Sequence, residues 1–324
     1  MSEMKRAGSW IGVDIGGPNL RVAVIDDEGC LHGWISHAHP VALRDSDFIV
    51  TEADQALRSA GRGWRDVAGM GIGVAGLVDS STGVVLGAAN LGWWGVPLGG
   101  ELSRRLGVPV VIEADVAASA EAEYAALPGD PLSPWLYVSV GTGIGACLIV
   151  NDLAERVRVV LNIGHVAVTG QSGRCSCGRY GCLETVASGH ALTLAAAHRF
   201  GADPGHVLHG RAATITGTEV LAAALEGDVV SQELLVAAGR ACGHAVASLV
   251  ELLTPRGIGL GGGVITADSP YLAAMVEAIR RGIRSPTESS IRIDCALLGE
   301  RSAVIGVVAL ARRRLATRDG LTVT

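Results

Sequence analysis

Two stretches of alternating apolar residues, each interrupted by glycines, stand out along this chain of 324 residues. Residues 11–25 and residues 136–150 each read as a strand, a glycine-rich turn and a second strand. Gly16 falls opposite Gly141, and the two segments align without a gap. A strand, a short glycine-rich connection and another strand are typical of a β-hairpin. The sequence therefore predicts two related halves, each opening with a hairpin.

The segments after each hairpin alternate between strand-like and helix-like periodicity, which is typical of an α/β fold. The first half predicts strands at 67–78, 84–86 and 108–112, and helices at 47–60, 97–106 and 115–126. The second half predicts a strand that runs into a glycine-rich turn over 258–265, a strand at 291–298, and helices at 187–199, 218–225, 231–253, 271–281 and 303–314. A chain of this length is long enough for two domains that share a cleft.

Composition excludes several classes of function. Charged residues make up 18% of the chain and its net charge is −6, so the basic surface of a nucleic-acid-binding protein is missing. The first ten residues lack the apolar stretch of a secretory signal, and no run of eighteen apolar residues predicts a membrane span. We therefore expect a cytoplasmic protein in a reducing compartment, where clustered cysteines more often hold metal than form disulfides.

The cysteines at 175, 177 and 182 form a cluster ten residues downstream of His165. Three thiolates and one imidazole complete a tetrahedral ligand set for zinc. Such a zinc either shapes a substrate pocket or only folds a loop, and both interpretations remain open. The other four cysteines are scattered, and Cys147 and Cys242 lie in apolar segments where small core residues are expected.

The two hairpin tips are candidates for phosphate binding, because glycine lets backbone N–H groups approach an anion closely. A third glycine run at 261–263 strengthens that interpretation over simple tight turns. Asp14 ends the first strand beside its tip, where a carboxylate suits Mg²⁺. The pattern at 71–76 resembles a dinucleotide fingerprint, but a turn rather than a helix follows it.

Two further segments carry candidate chemistry. Asp115 follows the buried strand at 108–112 and either removes a proton from a hydroxyl or caps the next helix. Asn90, Trp93 and Trp94 offer an amide and two indoles, which suit a sugar-like ligand or an interface equally well.

Together these motifs resemble the ROK family of sugar kinases and sugar-sensing repressors, over a region from Gly12 to about Ala311. The resemblance is carried by residues 13–21, 76–79 and 140–145, and by Gly164-His165 with the cysteine cluster and Glu184. It implies an actin- and hexokinase-like (ribonuclease H-like) α/β fold that closes on ATP, Mg²⁺ and a sugar. The implied N-terminal domain covers 1–116 and is closed by a helix at about 302–316, and the C-terminal domain covers 117–301.

The resemblance also implies roles for individual positions. Asp115 matches the catalytic base, and the matching structural zinc ligands are His165, Cys175, Cys177 and Cys182. The candidate substrate residues are Gly76, Asn90, Asp115, Asn162, His165 and Glu184. The candidate nucleotide and phosphate residues are Asp14, Gly16, Gly17, Asn19, Gly141, Thr142, Gly143, Gly261 and Gly262. A homodimer or homotetramer is also implied.

Three positions depart from the family pattern. Pro18 replaces a threonine in the first phosphate loop, Ala114 replaces the asparagine beside the base, and Asn162 replaces a glutamate before the zinc histidine. The last two remove hydrogen-bonding partners of a sugar, so the sequence predicts a kinase for a modified acceptor rather than plain glucose, such as a C7-cyclitol. The alternatives are an ordinary glucokinase, a non-catalytic sugar sensor, and a repressor. A repressor needs a DNA-binding segment, for which only about nine residues precede the first strand.

Overall fold

The chain divides into two compact units. The computed structural model describes residues 8–17, 19–38, 46–129, 132–151, 156–168, 170–284 and 290–318. The first unit consists of Met1–Leu127 and Arg301–Thr324, and the second of Pro128–Glu300. The predicted boundary after residue 116 divides the helix at 115–126, whereas this whole helix belongs to the first unit together with the C-terminal helix.

The strands of the described residues are β1 (Ser9–Ile15), β2 (Asn19–Asp26), β3 (Leu31–Ala38), β4 (Val67–Val74), β5 (Leu77–Asp79), β6 (Val84–Ala88), β7 (Trp93–Val96), β8 (Val110–Ala114), β9 (Trp135–Val140), β10 (Ile144–Asn151), β11 (Arg156–Leu161), β12 (Gly257–Gly261) and β13 (Arg292–Cys295). The helices are α1 (Ser46–Ser59), α2 (Leu98–Leu106), α3 (Asp115–Ala126), α4 (Glu184–Ala187), α5 (Gly189–Gly201), α6 (Gly217–Leu225), α7 (Val229–Leu253), α8 (Pro270–Gly282) and α9 (Ser302–Arg318). Short 3₁₀ helices cover Trp64–Asp66, Ile163–His165, His209–Arg211 and Gly299–Arg301.

Each unit contains a five-stranded sheet of the same design. The first sheet has the order β3-β2-β1-β4-β8 and the second has the order β11-β10-β9-β12-β13. In each, the hairpin and its third strand are antiparallel, and the two remaining strands run parallel to the first strand of the hairpin. The duplication predicted from the two glycine-tipped hairpins is therefore confirmed. A small antiparallel sheet, β5-β6-β7, extends the first unit.

Helix α9 lies directly against the first sheet because that face is lined with glycine. A Cβ atom on Gly12 would lie 2.6 Å from the carbonyl oxygen of Val304, and one on Gly71 would lie 2.5 Å from that of Val307. Either side chain would push the helix away from the sheet. The opposite face of the sheet is apolar and packs against α1 and α2.

Helix α7 belongs to the core of the second unit. Its length and composition would suit a membrane-crossing helix, and no other helix in the described ranges shares that property. It packs backbone to backbone on α8, since a Cβ on Gly239 would lie 2.2 Å from the carbonyl oxygen of Tyr271. Cys242 on α7 and Cys147 on β10 are both fully buried, as the sequence predicted. The apolar composition of α7 is therefore accounted for by core packing.

The sequence analysis missed three strands and misjudged two lengths. Strands β3, β7 and β11 were not predicted, and β11 is an edge strand in which valines alternate with arginines. The predicted strand at 67–78 is broken into β4 and β5, because the chain turns at residues 75 and 76. The predicted strand at 291–298 is the shorter β13.

Candidate active site

Carboxylates converge at the carboxyl ends of three neighbouring parallel strands in the first unit. Asp14 on β1 lies opposite Gly73 on β4, and Gly73 lies opposite Glu113 on β8. The Cα atom of Asp115 lies only 3.5 Å from the point where a Gly73 side chain would begin. Asp115 therefore lies beside Gly73, whose strand neighbours on either side are the acidic Asp14 and Glu113, at the edge where ligands of α/β sheets bind.

The carboxylates differ in their partners. Asp14 pairs with Arg21 on β2 at 3.0 Å. Glu113 pairs with Arg314 of α9 at 3.0 Å. Asp115 accepts a hydrogen bond from the backbone N–H of Val116 at 2.7 Å, and it has no ion pair with any residue whose position is described. Asp115 is thus the carboxylate available for proton transfer.

Burial raises the pKa of Asp115 to about 7, and the negative charge of Asp14 adds to the shift. Burial also raises the pKa of Asp14, whereas the Arg21 guanidinium lowers it. A carboxyl group with a pKa near neutrality suits general base chemistry. The alternative role of helix cap does not fit, because the N-cap position of α3 is Ala114 and Asp115 is its first helical residue.

The first hairpin tip follows directly from Asp14. The backbone N–H of Gly16 donates to the carbonyl oxygen of Asn19 at 3.0 Å, which closes the turn. Gly17 lies within this turn and Asn19 begins β2. Pro18, the unusual residue of this loop, lies outside the described residues.

The second hairpin tip is attached to helix α5 through its carbonyl groups. The N–H of Gly189 donates to the carbonyl oxygen of Gly141 at 2.8 Å, and the N–H of His190 donates to that of Thr142 at 3.3 Å. The N–H of Gly141 donates to the carbonyl oxygen of Gly143 at 2.9 Å. The tip therefore has a fixed backbone conformation at the start of a helix.

The third glycine run adjoins this second tip. Gly262 has a φ of 101°, and a Cβ on it would lie 2.3 Å from the carbonyl oxygen of Val140 at the end of β9. Gly261 ends the neighbouring strand β12. The structure thus brings two of the three predicted glycine segments together within the second unit.

Glu184 lies between this tip and the loop that carries His165. Its Oε2 atom accepts a hydrogen bond from the N–H of Ile144 at 3.1 Å. A Cβ on Gly143 would lie 2.5 Å from the same oxygen, and one on Gly164 would lie 3.2 Å from it. The two glycines therefore allow the Glu184 carboxylate to approach the phosphate-loop candidate and the predicted zinc loop.

The four predicted metal ligands form one cluster. The Sγ atom of Cys175 lies 3.6 Å from Nδ1 of His165, and Sγ of Cys177 lies 3.7 Å from Sγ of Cys182. Their donor atoms all lie within 4.8 Å of one another. Tetrahedral zinc, with Zn–S of about 2.3 Å and Zn–N of about 2.1 Å, requires donor separations of roughly 3.5–3.8 Å. The cluster therefore fits zinc, and the sulfur separation is far too long for a disulfide.

Glycines shape the loop that presents these cysteines. Gly178 and Gly181 both have positive φ, at 88° and 72°. A Cβ on Gly181 would also lie 2.7 Å from the carbonyl oxygen of Gln171. The backbone N–H of Cys175 donates to the carbonyl oxygen of Arg179 at 2.8 Å. This hydrogen bond closes the turn that contains Cys177. The spacing of the cysteines and glycines thus specifies the cluster locally.

The remaining substrate candidates are distributed over both units. Gly76 packs against β6, where a Cβ would lie 2.5 Å from the carbonyl oxygen of Gly87. Asn90 is exposed in a turn of the first unit, and Asn162 is exposed before the 3₁₀ helix of His165 in the second. Of the two predicted indoles, that of Trp93 lies in the hydrophobic core and only that of Trp94 is exposed.

Sequence reasoning missed the residues that separate the roles of the carboxylates. Arg21 lies within a recognised motif, and its position opposite Asp14 would have been visible from the hairpin register. Arg314 lies about two hundred residues from Glu113, and no local pattern connects them. Gly73 was seen only as part of a buried strand.

The sequence model of the ROK family matches residues 10–314 of this chain. The chain belongs to the ROK family. A glucokinase from Streptomyces coelicolor is 29% identical over 94% of the chain and 98% of its own length. A kanosamine kinase from Amycolatopsis mediterranei is 28% identical over 93% of the chain and 95% of its own length.

A solved ROK structure shares the fold. The ROK family glucokinase from Streptomyces griseus, in complex with glucose and AMPPNP, superposes with a TM-score of 0.81 at 33% identity. The match covers 94% of this chain and 100% of that one. The resemblance to the ROK family and the hexokinase-like α/β architecture expected from it are therefore confirmed.

Proposed function

We propose that this protein transfers the γ-phosphoryl group of ATP to a hydroxyl group of a sugar or sugar-like cyclitol other than plain glucose. The observation that carries this proposal is the environment of Asp115. Its carboxyl group is partly buried beside Asp14, its pKa is raised to about 7, and no described cation pairs with it. The glucokinase and kanosamine kinase relatives support carbohydrate phosphorylation as the reaction.

Asp115 acts as the general base in this proposal. Its carboxylate accepts the proton of the acceptor hydroxyl as that oxygen forms a bond to the γ-phosphorus of ATP. The bond from the γ-phosphorus to the β–γ bridging oxygen breaks, and ADP leaves with the bonding electrons. Glu113 is unsuited to this role because the Arg314 guanidinium and the hydroxyl of Ser80 already occupy its two carboxylate oxygens.

Asp14 and the glycine segments would bind the nucleotide. One Asp14 oxygen accepts from Arg21, which leaves the other for a hydrated Mg²⁺ ion, since Mg²⁺ commonly uses one or two carboxylates together with phosphates. Mg²⁺ bound with ATP neutralises charge on the phosphates. Gly16, Gly17 and Asn19 in the first unit, and the tips around residues 141–143 and 261–262 in the second, would present backbone groups to the phosphates.

The acceptor preference follows from two side chains. Ala114 offers only a buried methyl group beside the base, and Asn162 offers an amide in place of the family's carboxylate. A missing hydrogen-bond partner costs about 1–3 kcal/mol when the group it served is buried. A ring that lacks one hydroxyl, or carries a different substituent, would bind without that cost. His165 and Glu184 remain to contact other hydroxyls.

An acceptor panel tests the proposal. ADP release from Mg·ATP would be measured with glucose, mannose, N-acetylated hexosamines, kanosamine and C7-cyclitols. We expect a modified sugar or cyclitol to exceed glucose in kcat/KM by about tenfold or more, because glucose would leave hydroxyls unpaired. Glucose as the best acceptor would refute the preference. No turnover of any polyol would refute the kinase assignment.

The pH profile of the wild-type enzyme is expected to lose activity as the pH falls through about 7. Asp115 must be ionised to accept a proton, and burial together with Asp14 raises its pKa to about that value. kcat/KM, which reports ionisations of the free enzyme, should decline about tenfold per pH unit below this point. Steady-state rates at pH 5–9, with zinc content measured at each pH, check this. If kcat/KM instead declined only below about pH 4, Asp115 would have the ordinary pKa of an aspartate.

A further inference from the structure

The small sheet of the first unit carries an exposed apolar row. Leu77 on β5 lies opposite Gly87 on β6, and Gly87 lies opposite Trp94 on β7. Residues directly opposite each other in an antiparallel sheet are about 5 Å apart and point to the same side. Leu77 is 56% exposed and Trp94 is 69% exposed. One face of this sheet therefore presents an aliphatic and an aromatic side chain on either side of a glycine.

The Trp94 indole packs directly against Gly87. A Cβ atom on Gly87 would lie 2.9 Å from Cζ3 and 3.2 Å from Cε3 of the ring, so any side chain there would displace it. One side of the ring thus covers the backbone of β6, while most of the ring is open to solvent. By contrast, the neighbouring Trp93 is only 5% exposed and belongs to the core. The exposed Trp94 ring consequently lies directly against the backbone of Gly87.

The row begins three residues after the strand that pairs with the residue preceding the proposed base. Strand β4 ends at Val74, which pairs with Ala114, the residue before Asp115. Leu77 follows three residues later. Gly76, a substrate candidate, packs against the carbonyl oxygen of Gly87, the residue against which the Trp94 indole also packs. The chain therefore runs from the end of β4, which lies beside the residue preceding Asp115, through Gly76 into the row.

We propose that Leu77, Gly87 and Trp94 form a stacking subsite for the apolar ring face of the phosphoryl acceptor, with Trp94 as a specificity-determining residue. The inference rests on the proposed kinase function. Sugar and cyclitol rings have C–H faces that contact an indole favourably, and small-molecule sites combine such apolar surfaces with a few polar groups. Apolar stacking also fits an acceptor site in which Ala114 no longer offers an amide.

The test compares Trp94→Ala with Trp94→Phe and with Leu86→Ala. Leu86 is a matched control, because it is 45% exposed on the same sheet but lies at the register shift between β5 and β6, where it is opposite neither Leu77 nor Trp94. For the best acceptor of the panel, we expect Trp94→Ala to raise KM about fivefold to tenfold. Trp94→Phe should recover most of this loss. The KM for ATP should stay within about twofold in all three variants, since the nucleotide does not contact the row.

Calorimetric binding of glucose, kanosamine and a C7-cyclitol without ATP separates this inference from the kinase assignment. Binding that weakens in Trp94→Ala but not in Leu86→Ala supports the subsite even if no compound is phosphorylated. Turnover with an unchanged acceptor KM in Trp94→Ala refutes the subsite and leaves the kinase assignment intact. An unchanged KM together with a shift in sedimentation would identify the row as a contact between copies of this chain, which also refutes it.

Discussion

Substituting asparagine for Asp115 is expected to lower kcat by about 10²–10⁴-fold, the range in which a general base contributes. The amide has nearly the same shape but cannot accept the hydroxyl proton at neutral pH. The fold should persist, because Asp115 makes no ion pair with a described residue and α3 has its N-cap at Ala114. Single-turnover phosphorylation of the best acceptor measures the loss.

Asp54→Asn serves as the matched control for this substitution. Asp54 also lies on a helix of the first unit, and it forms an exposed pair with Arg58 at 2.9 Å. Its replacement should leave kcat within about twofold of the wild type, because exposed pairs of this kind contribute little to stability. Zinc content should be unchanged in both variants. If Asp115→Asn retains a tenth or more of the wild-type kcat, Asp115 is not the base.

Cys182→Ser is expected to remove about one equivalent of zinc per chain and to raise the acceptor KM about tenfold or more. Cys182 is almost fully buried and would supply one of the four ligands. The chain from Cys182 leads directly to Glu184, whose carboxylate lies against Gly143 and Gly164. Loss of the metal should therefore disturb the proposed hydroxyl contacts. Mutations around a metal site commonly lower metal affinity or activity by roughly 10–100-fold.

Elemental analysis and the acceptor KM check this prediction, with Cys295→Ser as control. Cys295 is an exposed cysteine of the second unit outside the cluster, so its replacement should leave both quantities unchanged. Full zinc content in Cys182→Ser would contradict the ligand assignment. Loss of zinc with an unchanged KM would show that the metal only folds the loop.

The features predictable from sequence were those set by local pattern. The two hairpins share an uninterrupted strand–glycine–strand pattern, and this predicted two related halves, which the two sheets of the same design confirm. Helix α3 was predicted with its exact bounds because a buried strand precedes it and alanines fill it. The clustering of the four potential metal ligands was predictable because the three cysteines lie within eight residues and glycines set the turns between them.

The features that escaped prediction depend on tertiary contacts. Trp93 and Trp94 are adjacent and identical in chemistry, and only the pleat of β7 places one in the core and the other outside. The hydrogen bond from the N–H of Ile144 to the Glu184 carboxylate spans forty residues. The boundary between the units lies after α3 rather than within its first turn, because α3 packs extensively on α9.

The packing of α9 against the glycine-lined face of the first sheet has a consequence for biosynthesis. Domains generally fold as units while the chain emerges from the ribosome. The second unit is one continuous segment, so its folding can proceed as soon as that segment is out of the exit tunnel. The sheet that contains Asp14 cannot complete its packing until α9, which is translated after the second unit, has been synthesised. Until then the backbone at Gly12 and Gly71 remains uncovered. The nascent protein would thus complete its zinc loop before the surroundings of its base.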